Sequence, residues 1–387
     1  MRILFFSGAD QKYGTFHSSI QLLEWLHRTD SAVEFIVVTQ QYGPLNNWCK
    51  ENGYENYVIP YRYCVYYPPT NNIVKTLKHG FKLLVVTISN INAMRKIEKM
   101  GLLENVDLIH TNINRDLIGE MLSRKYGIPN VTYLREFSRA HFHLLPIYKN
   151  QIKFMNDNSC RFIAISEAVK KDWIEYGIDA DKIEIIYDGV DTDKYRIKEP
   201  SKDNNNLKLV MCGAIYEGKG QFELLKAAGK LIHQGYDIYV DFYGEGVDAD
   251  YYAVIDKFVE SENLSDYVRF NGFINNINDV FEEYDVGVIC SKAEGFGLVT
   301  VEYLLSGLAV VASDTGANPE LLGNGEYGYL YHLGDIDALR ETILDLFMKK
   351  EAGISLKESA EYAKEKYTIR KTAKDLINLY VSIGENT

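Results

Sequence analysis

Apolar residues along this chain fall into short runs, separated by stretches in which they recur every third or fourth position. The runs Ile3–Phe6, Glu34–Val38, Val106–Ile109, Asn130–Tyr133, Phe162–Ala164 and Lys182–Ile186 read as buried strands. A second series follows at Leu207–Cys212, Ile238–Tyr243, Val268–Phe270, Val286–Cys290, Ala309–Ala312 and Gly328–Tyr331. Between them lie helical patterns such as Ser18–His27, Gln221–His233 and Ile336–Met348. Strict alternation of strand and helix predicts parallel sheets wrapped by helices. Two series, each with its own first strand, predict two doubly wound α/β domains. Between the series, Lys198–Asn206 is polar, contains Pro200 and lacks apolar periodicity, so it reads as a linker. Open parallel sheets bind ligands beyond the carboxyl ends of their strands, so two such domains facing each other predict a site in the cleft between them.

Composition narrows this picture. A length of 387 residues exceeds one ordinary core, and 46% apolar with 25% charged residues is that of a folded, soluble protein. Five scattered cysteines form no metal clip or redox pair, which points to a reducing cytoplasm. The opening MRILFFSGAD has no signal-peptide core, and no apolar run is long enough to cross a bilayer. Any membrane role is therefore expected at the surface.

The net charge of −12 is uneven. Residues 1–150 hold 17 Lys/Arg against 12 Asp/Glu, and the remainder carries −17. Within 61–100, seven basic residues (Arg62, Lys75, Lys78, Lys82, Arg95, Lys96, Lys99) oppose Glu98 alone. Over Ile73–Met100, Leu77, Phe81, Leu84, Ile88 and Ile91 recur at spacings of three and four, with Lys75, Lys78 and Lys82 largely to the other side. This basic amphipathic pattern, preceded by the aromatic run Tyr61–Tyr67, suits an anionic membrane surface at the inner face of a cell membrane. The alternative is a helix packed on its domain with a solvated basic face. Nucleic acid is disfavoured, because the chain is acidic and carries no groove-reading motif.

The densest chemical signal is Cys290-Ser-Lys-Ala-Glu-Gly-Phe-Gly-Leu-Val-Thr-Val-Glu302. A strand ends, a glycine-containing turn follows, and a helix is predicted to begin near Leu298. Free amides at a helix start, here Gly297, Leu298 and Val299, form an anion site fit for a diphosphate. Glu302 lies one turn further on the same face, where a carboxylate can accept both hydroxyls of a ribose. Glu294 precedes the turn and is placed to hold sugar hydroxyls. A plain strand-turn-helix with solvent-exposed carboxylates is the bland alternative for any one of these residues.

The spacing Glu294-x7-Glu302 around EGFG resembles the signature of glycosyltransferase family 4, the group 1 glycosyltransferases of GT-B fold. Ile163–Val169, Asp181–Asp191 and Ser313–Glu320 are similar to that family's other runs, although Asp188 stands where Asn is usual. The resemblance implies two Rossmann-like domains facing a cleft. Residues 1–195 would form the acceptor side, with a C-terminal helix over 368–387 packing back on it, and 196–367 would bind the donor. It also implies a nucleotide-sugar donor, expected to be UDP-linked, a glycan or lipid-linked acceptor, retention at the anomeric carbon, no cofactor and no metal. Lys219 matches the family's phosphate-binding lysine, and Phe273–Ile274 its base-binding turn. Gly14 matches a glycine under the donor phosphate; from spacing alone, Gly8 and Gly14 make no dinucleotide fingerprint.

Two departures stand out. Ala214 occupies the place of an arginine that usually accompanies the lysine, so Arg135 or Arg139 is a candidate to meet the remaining diphosphate charge. Asn112 stands where many relatives have a cleft-facing histidine; it can hydrogen-bond a sugar but cannot act as a base. Asn112→Ala is therefore expected to weaken turnover without unfolding the chain. His110 is a candidate contact or, alternatively, a satisfied strand-end histidine. Other functions compatible with the fold are a sugar-nucleotide epimerase, for which no carboxylate–histidine set is evident, and a non-catalytic partner subunit.

Overall fold

The computed structural model describes residues 1–8, 14–30, 32–66, 72–138, 145–197, 206–350 and 356–385, with backbone alone at 14–17, 72–78 and 350. Most of the polar stretch read as a linker, Arg139 and the turn between Gly8 and Gly14 lie outside these residues. The chain divides into two compact units, Met1–Gly189 with Ile369–Thr387, and Val190–Thr368.

In the first unit the strands are β1 (Arg2–Ser7), β2 (Glu34–Thr39), β3 (Glu55–Val58), β4 (Val65–Tyr66), β5 (Leu108–Thr111), β6 (Asn130–Leu134), β7 (Leu145–Pro146), β8 (Arg161–Ala164) and β9 (Ile183–Ile185). Seven of them form a parallel sheet in the order β3-β2-β1-β5-β6-β8-β9, while β4 and β7 make a short antiparallel pair. Helices cover both faces of such a sheet, so its central strands are apolar on both sides. Ile3, Leu4, Phe5 and Phe6 are accordingly all fully buried. One face packs on the helix Asn72–Lys99 through Ala93, Met94 and Ile97. The C-terminal helix Ile369–Glu385 lies against the helix Gly14–Thr29, and Thr372 donates its hydroxyl to the Tyr187 carbonyl at 2.8 Å.

Two features depart from the apolar pattern. Strand β3 was not evident in the sequence, because Glu-Asn-Tyr-Val is an edge segment exposed at Glu55 and has no apolar run. Strand β5 sits two residues later than its apolar signal, since the buried strand continues through His110 and Thr111. Behind these residues lies a polar core. Thr111 donates to Asn130, Asn130 to Thr132 and Ser159, and both hydroxyls donate to the Glu120 carboxylate, at 2.8 and 3.2 Å.

The second unit carries β10 (Leu207–Cys212), β11 (Ile238–Tyr243), β12 (Val268–Phe270), β13 (Val286–Ile289), β14 (Ala309–Ser313) and β15 (Tyr329–Tyr331). They form one parallel sheet in the order β12-β11-β10-β13-β14-β15. Helices Gln221–His233 and Ile336–Lys350 close one side of its core through Leu224, Leu231, Leu339 and Ile343. In each sheet the winding reverses once, between β1 and β5 and between β10 and β13. Ligands of doubly wound sheets bind beside such reversals.

Glu120 makes stability pH-dependent. Burial holds its carboxyl up at about 7, against an ordinary 4.5, and the neighbouring Asp116 is raised in the same direction by burial and by Glu120. The folded state thus keeps a proton that the unfolded chain releases. This contribution is complete below the unfolded value and is lost as pH rises through about 7. Glu120→Gln should remove up to about 3 kcal/mol of the stability difference between mildly acid and neutral pH. Thermal unfolding across that range checks this, and an unchanged slope in the variant would contradict it.

Candidate functional site

In the second unit, three loops leave the carboxyl ends of β10, β13 and β14 and are tied together by backbone. Lys292 donates its N–H to the Gly218 carbonyl at 2.9 Å, and Ala317 donates to the Glu294 carbonyl at 2.9 Å. Ser313 and Thr315 both donate their hydroxyls to the Ser291 carbonyl at 2.8 Å. At Gly316, with φ +58°, a Cβ would come within 2.4 Å of the Glu294 carbonyl oxygen, so only glycine admits this approach.

The helix Leu298–Leu305 starts where the sequence placed it. Its N-cap is Gly297 at φ +82°, which supplies no capping side chain, and no acidic residue stands in the first turn. The amides of Leu298 and Val299 therefore have no intrahelical acceptor and sit at the positive end of the helix dipole. The helix is pinned to the sheet by Tyr303, whose hydroxyl accepts from the Cys212 amide at 2.9 Å.

Facing this region, Lys219 Nζ lies 2.8 Å from Glu294 Oε2, both side chains being about four-fifths buried. Burial alone would lower the lysine, but the Glu294 carboxylate outweighs it and the ammonium is held above its ordinary value. Lys219 is thus a fixed cation. Glu302 lies one turn into the helix, its carboxyl raised by burial. Its Oε1 accepts the hydroxyl of Tyr195 at 3.0 Å. Tyr195 was not singled out from sequence; it follows the Asp181–Asp191 run, and only the structure brings it to Glu302. Phe273 and Ile274 follow β12 at the carboxyl edge of the same sheet, with the Phe273 side chain 40% exposed.

The first-unit candidates form a different kind of group. Asn112 follows β5 and is buried; its Nδ2 donates to Ser19 Oγ at 3.0 Å and its Oδ1 accepts from Arg135 Nε at 3.1 Å. The Arg135 guanidinium makes a two-pronged contact with Asp188, at 2.8 and 3.1 Å, and donates to Ser18 Oγ at 3.1 Å. Its charge is met within the unit by the buried Asp188 carboxylate. Asp188, the departure from the usual Asn, is one half of a buried ion pair with Arg135. His110 is fully buried, stacked on Phe5 at 4.6 Å and bonded through Nδ1 to the Tyr380 hydroxyl at 2.6 Å. Burial and then the charge of Arg135 lower it to about 3, which favours the neutral imidazole at this core position. Gly14 begins the helix Gly14–Thr29, and Arg139 lies outside the described residues.

A cavity of the first unit lies beyond β5 and β6, bounded by Asn114, Arg115, Glu136, Gln151 and Trp173. Arg115 and Glu136 pair across its wall at 2.7 and 2.8 Å.

Residues 191–366 match the family model described as glycosyl transferases group 1, and residues 51–194 match that of glycosyltransferase family 4. The chain belongs to this glycosyltransferase family. Among relatives of this glycosyltransferase is EpsD of Bacillus subtilis, 25% identical over 202 residues; the match covers 50% of this chain and about half of EpsD, 52%. The UDP-Gal:alpha-D-GlcNAc-diphosphoundecaprenol alpha-1,3-galactosyltransferase of Escherichia coli is 24% identical over 378 residues, covering 92% of this chain and 93% of that enzyme. Among solved structures, Anabaena Alr3699/HepE in complex with UDP superposes with a TM-score of 0.78 at 20% identity, covering 99% of this chain and all of that one. The two parallel-sheet, Rossmann-like units are those of the GT-B fold.

The burial of Asn112 changes what its substitution does. Asn112→Ala removes the acceptor of the buried Arg135 Nε–H and should cost about 1–3 kcal/mol of stability. Asp188→Ala strands a buried guanidinium and should cost more, about 3–5 kcal/mol. Denaturant unfolding checks both, and wild-type midpoints would remove the network from the account.

Proposed function

We propose that this protein is a retaining glycosyltransferase that moves a hexosyl or N-acetylhexosaminyl group from a UDP-sugar to a glycan or lipid-linked acceptor in surface polysaccharide or glycoconjugate synthesis. The observation that carries this reading is the Lys219–Glu294 pair set beside the uncapped start of the helix Leu298–Leu305. A nucleoside diphosphate supplies anionic oxygens for the Leu298 and Val299 amides, and it competes with Glu294 for Lys219. Released from the lysine, the Glu294 carboxylate accepts hydroxyls of the transferred sugar. Glu302, held by Tyr195, accepts the ribose hydroxyls. Solved complexes of Alr3699/HepE with UDP and with UDP-glucose support the donor, and the undecaprenol-linked acceptor named for the Escherichia coli relative supports a lipid-linked one.

In the reaction, the bond between the anomeric carbon and the β-phosphate oxygen breaks, leaving UDP. The acceptor hydroxyl forms its bond to carbon on the same face and gives its proton to the departing phosphate oxygen. Negative charge builds on the diphosphate as the bond breaks, so fixed dipoles and a fixed cation in place beforehand lower the barrier. Lys219 and the helix start supply both, and the proposal includes that no metal ion is required. With Arg135 committed to Asp188, these two carry the charge that an arginine at Ala214 would otherwise share.

Release of UDP from a panel of nucleotide sugars, with and without acceptor extract, tests this reading. Lys219→Ala and Glu294→Gln should each lower turnover about a hundredfold or more while the fold persists, and chelation by EDTA should leave wild-type turnover unchanged. Isomerised donor without UDP release, or full activity in both variants, would overturn it.

A further inference from the structure

The helix Asn72–Lys99 has two apolar faces, and the first unit covers one of them. Val86, Asn90, Ala93 and Ile97 point inward and are buried. Asn90 fastens the helix to the preceding loop, accepting from the Arg62 amide at 2.7 Å and donating to the Arg62 carbonyl at 3.2 Å. The apolar stripe legible in the sequence lies on the other face. Phe81 is 72% exposed, Leu84 58%, Ile88 50% and Ile91 38%. An α-helix advances 3.6 residues per turn, so these four share one line along the surface. Arg95 and Lys99 continue that line at the next two turns. Both are exposed, and neither has an ion-pair partner among the described residues. Lys82, also exposed, flanks the stripe beside Phe81.

We infer that this outward face of the helix docks on an anionic lipid surface, with Phe81, Leu84, Ile88 and Ile91 entering the acyl boundary and Lys82, Arg95 and Lys99 meeting acidic headgroups. Scattered exposed apolar residues are ordinary, but an aligned set running into like-signed charge on one helix is not. The charge argues for lipid over protein. The chain carries −12 overall, whereas residues 61–100 carry +6, so this segment departs from the chain's acidic balance in the direction that attracts an anionic surface. A second copy seated symmetrically on the same face would bring its own Lys82, Arg95 and Lys99 against these, like charge against like or against the apolar stripe. A bilayer interface offers hydrocarbon and anionic groups side by side. None of the helices among the described residues is long and apolar enough to cross a membrane, so the contact is in the plane of the surface.

Docking would also orient the unit. The Arg62 loop held by Asn90 leads directly into β4, and Val65 of β4 and Pro146 of β7 wall the cavity beyond β5 and β6. That cavity is thereby carried on the same fastening as the lipid-facing helix. The inference stands on the helix alone and does not depend on the glycosyl-transfer reading.

Flotation of the full chain with phosphatidylcholine vesicles, and with the same vesicles containing phosphatidylglycerol, tests it. Binding should appear with the anionic vesicles and weaken as salt is raised. Phe81→Ser with Leu84→Ser should reduce it about tenfold or more, and Arg95→Gln with Lys99→Gln should abolish the preference for anionic lipid with a similar loss. All four positions are exposed, so thermal unfolding and UDP release from free donor should match wild type, which separates this test from that of the reaction. No binding to anionic vesicles would overturn the inference. So would binding that ignores both pairs of substitutions, or a second copy covering the face, seen as a dimer that the Phe81/Leu84 variant dissolves.

Discussion

The ion pair between Lys219 and Glu294 is the contact on which the functional geometry turns. Neither group belongs in a largely buried position without a partner, since desolvation penalises an isolated charge on either side. Each therefore holds the other in place until a ligand with its own negative charge arrives. The surrounding loops are built to keep that pair where it is. Backbone bonds from Lys292 to Gly218 and from Ala317 to Glu294 fix the main chain of the loops that carry the pair. The close approach at Gly316 means that a side chain there would push directly on Glu294. A preformed cation, carboxylate and helix start then share one edge of the second sheet, at the reversal between β10 and β13.

The first unit solves its polar problem differently. There the charges are spent on structure: Arg135 and Asp188 neutralise each other, and Asn112, Ser18 and Ser19 take up most of the remaining donors and acceptors. Seen singly along the chain, Asn112 for histidine and Asp188 for asparagine look like losses from a catalytic pattern. In space both touch Arg135: Asn112 accepts from its Nε, and Asp188 neutralises its buried guanidinium. His110 fits the same logic, being neutral, stacked and bonded to Tyr380 of the C-terminal helix.

How much was legible follows from which forces act locally. The second sheet was read nearly residue by residue, because Leu207–Cys212, Ile238–Tyr243 and Val268–Phe270 set buried apolar residues at alternate or successive positions between turn residues. The start of the helix at Leu298 was legible because a glycine-containing turn follows β13 and a mostly apolar run begins after Gly297. Strand β3 was missed because an edge strand needs no apolar run, and β5 was displaced because His110 and Thr111 are polar residues that the core accepts by pairing them. The same limit governs the site. Glu294, Glu302 and Lys219 lie in recognisable strings, whereas Tyr195 becomes part of the site only through a hydrogen bond across 107 positions of sequence. The outward stripe of Asn72–Lys99 was visible as a period, but its exposure was not, because the inward face at Val86, Ala93 and Ile97 is apolar too.

The central claim is that the start of the helix Leu298–Leu305, with Lys219 beside it, receives a nucleoside diphosphate that displaces Glu294 from the lysine. A crystal structure of the protein with UDP bound measures this directly. The account predicts diphosphate oxygens within hydrogen-bond distance of the Leu298 and Val299 amides and of Lys219 Nζ, the ribose on Glu302, and the Lys219–Glu294 contact opened. UDP bound elsewhere, or bound there with the Lys219–Glu294 pair intact, would contradict it.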